Sequence, residues 1–205
     1  MELYGVVVAV AAMGLLWARR LEYAIAGLAA QGCALALMVG TAHEPGAVGV
    51  ALATLVVKAG LIPVLMLRVV RQWPPDSGYD YPLPLWAYPA AAALVLAGGH
   101  VLQVLGPTGV IKDPALFFVG LATVHLGLLM VVARRHLLAQ VAALVGIENG
   151  LIVVAAAVAG TLPTLLEWGL LADLLLAATV LVWLSGRIHR AVRSSDVTAL
   201  RRLRG

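Results

Sequence analysis

Four ionisable side chains sit where ionisable side chains are costly: Lys58, His125, Glu148 and Asp173 each lie inside a long apolar stretch of the chain. A charged group within a membrane span costs about 2.5–3.5 kcal/mol on insertion scales, so such groups face protein or water and pair with one another. A carboxylate beside an ammonium in that setting is suited to proton exchange. Apolar surroundings favour the neutral carboxyl and a nearby cation favours the ionised one, so a change in their separation moves a proton on or off. With a rise of 1.5 Å per residue, all four groups fall within about 3 Å of the middle of their stretches. They predict a polar layer parallel to the membrane, able to carry protons laterally.

Each residue has a second reading. Lys58 serves equally as a static partner of Glu148 or Asp173 that locks the helices together. His125 reads as a hydrogen-bonded packing residue or as a relay member. Glu167 fits the outer rim or the start of its helix, and His100 fits the interface. Gln140, two turns before Glu148, either extends a polar path or packs. Pro63 follows Lys58 by five residues, with Gly60 between them. A proline in a helix interior removes one backbone hydrogen bond and frees the carbonyl four residues back. The expectation is a kink, with the Ala59 carbonyl released beside the lysine.

The elements that must hold these groups follow from composition. Of 205 residues, 62% are hydrophobic and 12% charged, about half the charged share of a soluble domain. So few charges cannot cover a water-facing surface, which excludes a soluble enzyme, a nucleic-acid binder and a disordered linker. One cysteine, Cys33, excludes an intramolecular disulfide and any multi-cysteine metal or iron–sulfur site. The five histidines are scattered, and the sequence carries no haem pair, metal cluster, phosphate loop or serine nucleophile motif. The scarcity of aromatics within the spans argues against a retinal protein. The Met1-Glu2 start lacks the basic region of a cleavable signal peptide, so the first apolar run is expected to be retained.

A spanning helix needs about 20 apolar residues. Seven segments qualify: Leu3–Ala18, Glu22–Val39, Ala47–Val70, Pro84–Leu105, Pro114–Ala133, Leu137–Gly160 and Thr164–Gly186. The breaks between them carry Pro and Gly turn chemistry. Basic residues alternate along the connections. Twelve, including Arg19, Arg20, Arg68, Arg71, Arg134 and Arg135, fall on one side, Lys112 falls on the other, and Lys58 lies within a span. Positive charge is retained in the cytoplasm. The expected fold is therefore an all-α membrane protein, a seven-helix bundle with its N-terminus outside and its C-terminus in the cytoplasm. The loop 72–82 reads as an ordered docking loop or a plain connector. The basic tail, 187–205, fits the membrane surface or a partner.

The stretch Ala143-Leu144-Val145-Gly146-Ile147-Glu148-Asn149-Gly150-Leu151 resembles the membrane-Glu motif of the hydrogenase-4 component E family, with a Glu-Asn-Gly triplet mid-helix. The helix containing Glu167-Trp168-Gly169 and Asp173 resembles that family's Glu-x-Gly-(x)3-Asp segment. Lys58-Ala59-Gly60-Leu61-Ile62-Pro63 resembles its Lys-(x)3-Ile-Pro, and the basic ending is similar too. The resemblance covers essentially the whole chain and is densest from Arg134 onward. Spans five to seven also resemble the small three-helix K component of complex I and the C component of multi-subunit cation/proton antiporters. This divides the chain into residues 1–110, with four spans, 111–186, resembling the complex I component, and the tail 187–205.

The resemblance implies a cofactor-free membrane-arm subunit of a group 4 [NiFe]-hydrogenase or related complex in a prokaryotic inner membrane. Such a subunit has no active site of its own and adjoins large antiporter-like subunits, with the cytoplasmic redox subunits reached only indirectly. It implies Glu148 as principal proton relay, or Na+ relay, with Lys58 and Asp173 modulating it and His125 as a further candidate. The rivals are a passive scaffold, a cation/proton antiporter component without a redox arm, and an independent small transporter.

Overall fold

A computed structural model describes residues 2–41, 46–73, 79–80, 82–159 and 164–192, with only the backbone for residues 2, 164–167, 170 and 192. Residues 42–45, 74–78, 81, 160–163 and those beyond 192, together with the Glu167 side chain, lie outside the described residues.

Among the described residues the chain is helical throughout: α1 (Glu2–Trp17), α2 (Leu21–Gly40), α3 (Ala47–Thr54), α4 (Ile62–Arg71), α5 (Ala87–Leu105), α6 (Pro114–Ala133), α7 (Leu137–Ala159) and α8 (Thr164–Val192). A π-helical segment, Leu55–Leu61, fuses α3 and α4 into one rod, Ala47–Arg71. Six helices are long and apolar enough to cross a membrane, and α1 is a shorter apolar helix packed against α2 and α6. The chain is a multi-pass membrane protein. The fourth predicted span starts later than its sequence suggests, at Ala87, because Pro84-Leu85-Trp86 form a turn closed by the Ala87 N–H on the Pro84 carbonyl at 2.9 Å. The last helix runs past Gly186 to Val192, with His189 and Arg190 in its final turn, where cations suit the helix dipole.

A π segment leads into Pro63, where the kink is expected. The Ile62 N–H bonds the Val57 carbonyl, five residues back, so the ladder has already shifted before proline is reached. Pro63 then falls in the first turn of α4, which continues the same rod, so the bond its N–H would have made to the π segment is absent.

Lipid tails are as apolar as leucine, so helices in a membrane associate through close packing of small residues. The pair α6 and α7 shows this most clearly. A Cβ at Gly120 would lie 2.7 Å from the Val154 nitrogen, and one at Gly150 would lie 2.9 Å from the Val124 nitrogen. A Cβ at Gly127 would lie 2.5 Å from Ile147 Cγ1. The three glycines bring two backbones into contact and fix the rotation of α7, which carries Glu148. By contrast α5 packs chiefly on α6 and leaves most of its surface exposed.

The connections at one end of the bundle are fastened. Arg134, between α6 and α7, is buried and donates to the carbonyls of Leu16 and of Ala18, the latter at 2.8 Å. Its guanidinium also lies 3.7 Å from the Asp80 carboxylate. Burial pushes the Arg134 guanidinium below its ordinary value, and Asp80 works against that shift. The Asp80 N–H donates to the Arg19 carbonyl at 2.8 Å, and the Arg20 Nε donates to the Tyr79 hydroxyl at 2.7 Å. Trp73 stacks on His189 with ring centroids 4.4 Å apart and lies 5.4 Å from the His136 ring. The described parts of the 72–82 loop are therefore docked onto the helix ends. Gln140 belongs to this end too: its amide donates to the Val131 and Arg134 carbonyls at 3.2 and 3.0 Å, so it caps α6 and extends no polar path.

Candidate functional site

Lys58 stands in the middle of the π segment. It is the largest fully buried side chain among the described residues, with 1% of its side chain exposed. Single π turns inside α-helices recur at functional sites. The wider turn here aims an ammonium into the bundle. Space for it comes from α2: a Cβ at Gly32 would fall 2.7 Å from the Lys58 carbonyl carbon and from the Ala59 nitrogen.

The ammonium meets α7. It forms an ion pair and hydrogen bond with the Glu148 carboxylate and donates to the Asn149 carbonyl oxygen at 2.9 Å. The Asn149 amide then donates to Gln31 Oε1 at 3.2 Å, and the Gln31 amide donates to the Val8 carbonyl at 3.1 Å. One polar chain thus runs Glu148–Lys58–Asn149–Gln31–Val8 through the π segment, α7, α2 and α1. Lys58, Asn149 and Gln31 are fully buried, whereas Glu148 keeps 20% of its side chain exposed. Its second oxygen, Oε1, is buried and has no hydrogen-bond partner among the described residues.

Of the four residues singled out by sequence, the structure joins two. Asp173 interacts electrostatically with Glu148 but is exposed on α8, with no hydrogen bond or ion pair among the described residues. His125, on α6, turns toward α5: its Nδ1 lies 3.7 Å from where a Gly98 Cβ would be and has no hydrogen-bond partner among the described residues. His100 is exposed on α5. No group of three or more His, Cys, Asp and Glu side chains among the described residues is placed to hold a metal ion.

No family model matches the sequence, and no solved structure matches it. Among curated proteins, the hydrogenase-4 component E of Escherichia coli K12 is 33% identical over 153 residues, covering 73% of this chain and 70% of that protein. The chain belongs to the hydrogenase-4 component E family. The component E of Shigella flexneri matches equally, and the Mycobacterium tuberculosis protein Rv0085 is 28% identical over 204 residues, covering 93% of this chain and 89% of its own.

In this chain, the Glu-Asn-Gly triplet packs as a unit. Glu148 takes the charge of Lys58, Asn149 relays to Gln31, and Gly150 admits α6. Sequence reasoning gave Asn149 no separate role and missed Gln31. Both left a signal, since each is an amide beside a glycine in the middle of a long apolar helix, Asn149 also adjoining Glu148. In lipid such groups need partners as surely as charges do.

Proposed function

We propose that this chain is a membrane-arm subunit of a hydrogenase-4-type complex and that its Lys58–Glu148 pair takes part in proton translocation coupled to electron transfer. In this reading the chain holds no cofactor and no catalytic site and lies beside antiporter-like subunits. It crosses a prokaryotic inner membrane seven times, α1 included, with the N-terminus outside and the docked, arginine-rich ends in the cytoplasm. Residues 111–186 form a unit similar to the K component of complex I. Membership of the component E family supports the setting, and the alternation of basic residues supports the orientation.

One observation carries the proton role: Glu148 is held by Lys58 through one oxygen while its other oxygen is buried without a partner among the described residues. That oxygen is the free site at which a proton, or a water bringing one, would bind. Uptake there neutralises the carboxylate and weakens the hold on Lys58, and movement of the ammonium toward Asn149 favours uptake in turn. A charge arriving in a neighbouring subunit biases this balance. Asp173 and His125 are the further candidates, Asp173 through its charge on Glu148.

The test is Glu148→Gln in the whole complex. The expected result is normal assembly and electron transfer with loss of coupled proton movement across sealed vesicles. Unchanged coupled pumping would refute the relay. A second reading is favoured by the fixation of Lys58 between two acceptors, one of them locked by Gln31. Here the pair only glues helices, and Glu148→Gln would lose assembly in place of pumping.

A further inference from the structure

An exposed carboxylate, Asp173, lies within Leu171–Ala191, a stretch of α8 long and apolar enough to cross a membrane. Asp173 is nine residues into α8 from Thr164, roughly 14 Å along the helix axis. Its side chain is exposed and has no hydrogen-bond or ion-pair partner among the described residues. The exposed residues that continue its face are apolar, namely Leu176, Val180, Trp183 and Leu184. The rotation of α8 is set by a buried stripe, Leu171, Leu174, Ala178, Val182 and Ser185, facing α3, α4 and α7. Turning Asp173 inward would expose that stripe. Lipid tails offer a carboxylate neither charge nor hydrogen bond. We infer that the α8 face around Asp173 is an intersubunit contact within the membrane, covered by a helix of a different membrane subunit that presents a lysine or arginine to Asp173. The inference rests on the reading of this chain as one subunit of a larger complex.

The identity of the partner follows from where this chain keeps its own cations. Among the described residues the arginines lie at or near helix ends, and Lys112 precedes α6. Lys58 is buried and already held by Glu148 and Asn149. Among the described residues a second copy therefore offers Asp173 no cation that is both exposed and away from the helix ends. A twofold contact through this face would also set like charges opposite each other, since the same patch meets itself. Charge complementarity selects another chain. Because Asp173 acts electrostatically on Glu148, the partner's cation would enter the charge balance of the buried pair.

The experiment is photo-crosslinking in the intact complex in native membranes, with p-benzoylphenylalanine replacing Leu176 or, separately, Val180. The expected result is an adduct to one other membrane subunit, mapped by mass spectrometry to a segment with Lys or Arg within about one helical turn. Asp173→Lys should cut adduct yield at least tenfold, and reversing the partner's cation to Asp should restore it. That rescue separates a lost contact from a misfolded chain. Adducts to lipid alone, to a second copy of this chain, or to a segment without a cation overturn the proposal, as does an unchanged yield with Asp173→Lys. If other subunits co-purify but only lipid is labelled, the α8 contact falls and the subunit reading stands. If no other subunit co-purifies, the subunit reading falls and takes the contact with it.

Discussion

Gly32 on α2 touches the backbone of Lys58: a side-chain carbon at Gly32 would overlap the Lys58 carbonyl, 2.7 Å away. Its neighbour in sequence, Gln31, holds Asn149, which holds the same lysine's ammonium. Consecutive residues of one helix therefore position Lys58 from two directions, through its main chain and through its charge.

Gly32→Ala is expected to push α2 away from the π segment. Overpacking of this kind costs about 1–3 kcal/mol, and the displacement falls on the Lys58–Glu148 pair. Thermal unfolding in detergent should show a lowered midpoint and coupled pumping should fall. Gly14→Ala, where nothing lies within 4 Å, should change neither.

Lys58→Met leaves Glu148 inside the bundle without its cation. Removing one member of a buried pair costs about 3–5 kcal/mol, while replacing both with groups of similar shape is far less damaging. The double variant Lys58→Met with Glu148→Gln should recover most of the lost stability and none of the pumping. A double variant as unstable as Lys58→Met alone would show that the pair is not one energetic unit.

Gln31→Leu removes the acceptor of the Asn149 amide in a dry site. An unsatisfied buried donor costs about 1–3 kcal/mol. Asn149 would then hold the ammonium less rigidly, so the pH profile of pumping is expected to shift with the assembled complex still present. Gln31→Glu keeps the acceptor but, ionised, cannot donate to the Val8 carbonyl, so it should exceed Gln31→Leu in stability only at a pH low enough to protonate it, as denaturation in detergent would report.

Arg134→Ala cuts the tie between the α6–α7 connection and the end of α1. Two hydrogen bonds from a guanidinium to carbonyls are lost, a change of about 3 kcal/mol. Protease cleavage around residues 16–20 should accelerate severalfold, with Lys58 and Glu148 still paired. Both bonds leave one nitrogen, Nη2, and a lysine ammonium carries three donors, so Arg134→Lys should recover part of the protection that the alanine variant loses.

The all-helical character and the order of the six long apolar helices were legible because length and apolar run suffice to define a span, and because Pro-rich breaks punctuate them. Lys58 and Glu148 stood out for the same reason that they pair: a charge in an apolar run needs a partner. Depth alone does not reveal rotation about the helix axis. That is why Asp173, at a similar depth, could not be seen to face outward, nor His125 to face α5. The π segment was hidden as well. Pro63 announced a disturbance of the backbone, but i→i+4 and i→i+5 bonding use the same residue types, and the backbone contact with Gly32 that lies beside the segment comes from a distant part of the sequence.

The π segment also makes the position of Lys58 depend on counting. A π turn holds one more residue than an α turn, so deleting a single residue from Leu55–Val57 would let the rod revert to unbroken α-helix. The π turn takes up its extra residue locally, so α3 and α4 would keep nearly their present faces. The lysine, inside the segment, would turn relative to α4 and leave its present line to Glu148 without any change in its own identity. Aligned relatives that keep the lysine but lack one residue in this stretch would have to find their counter-ion on a different helix.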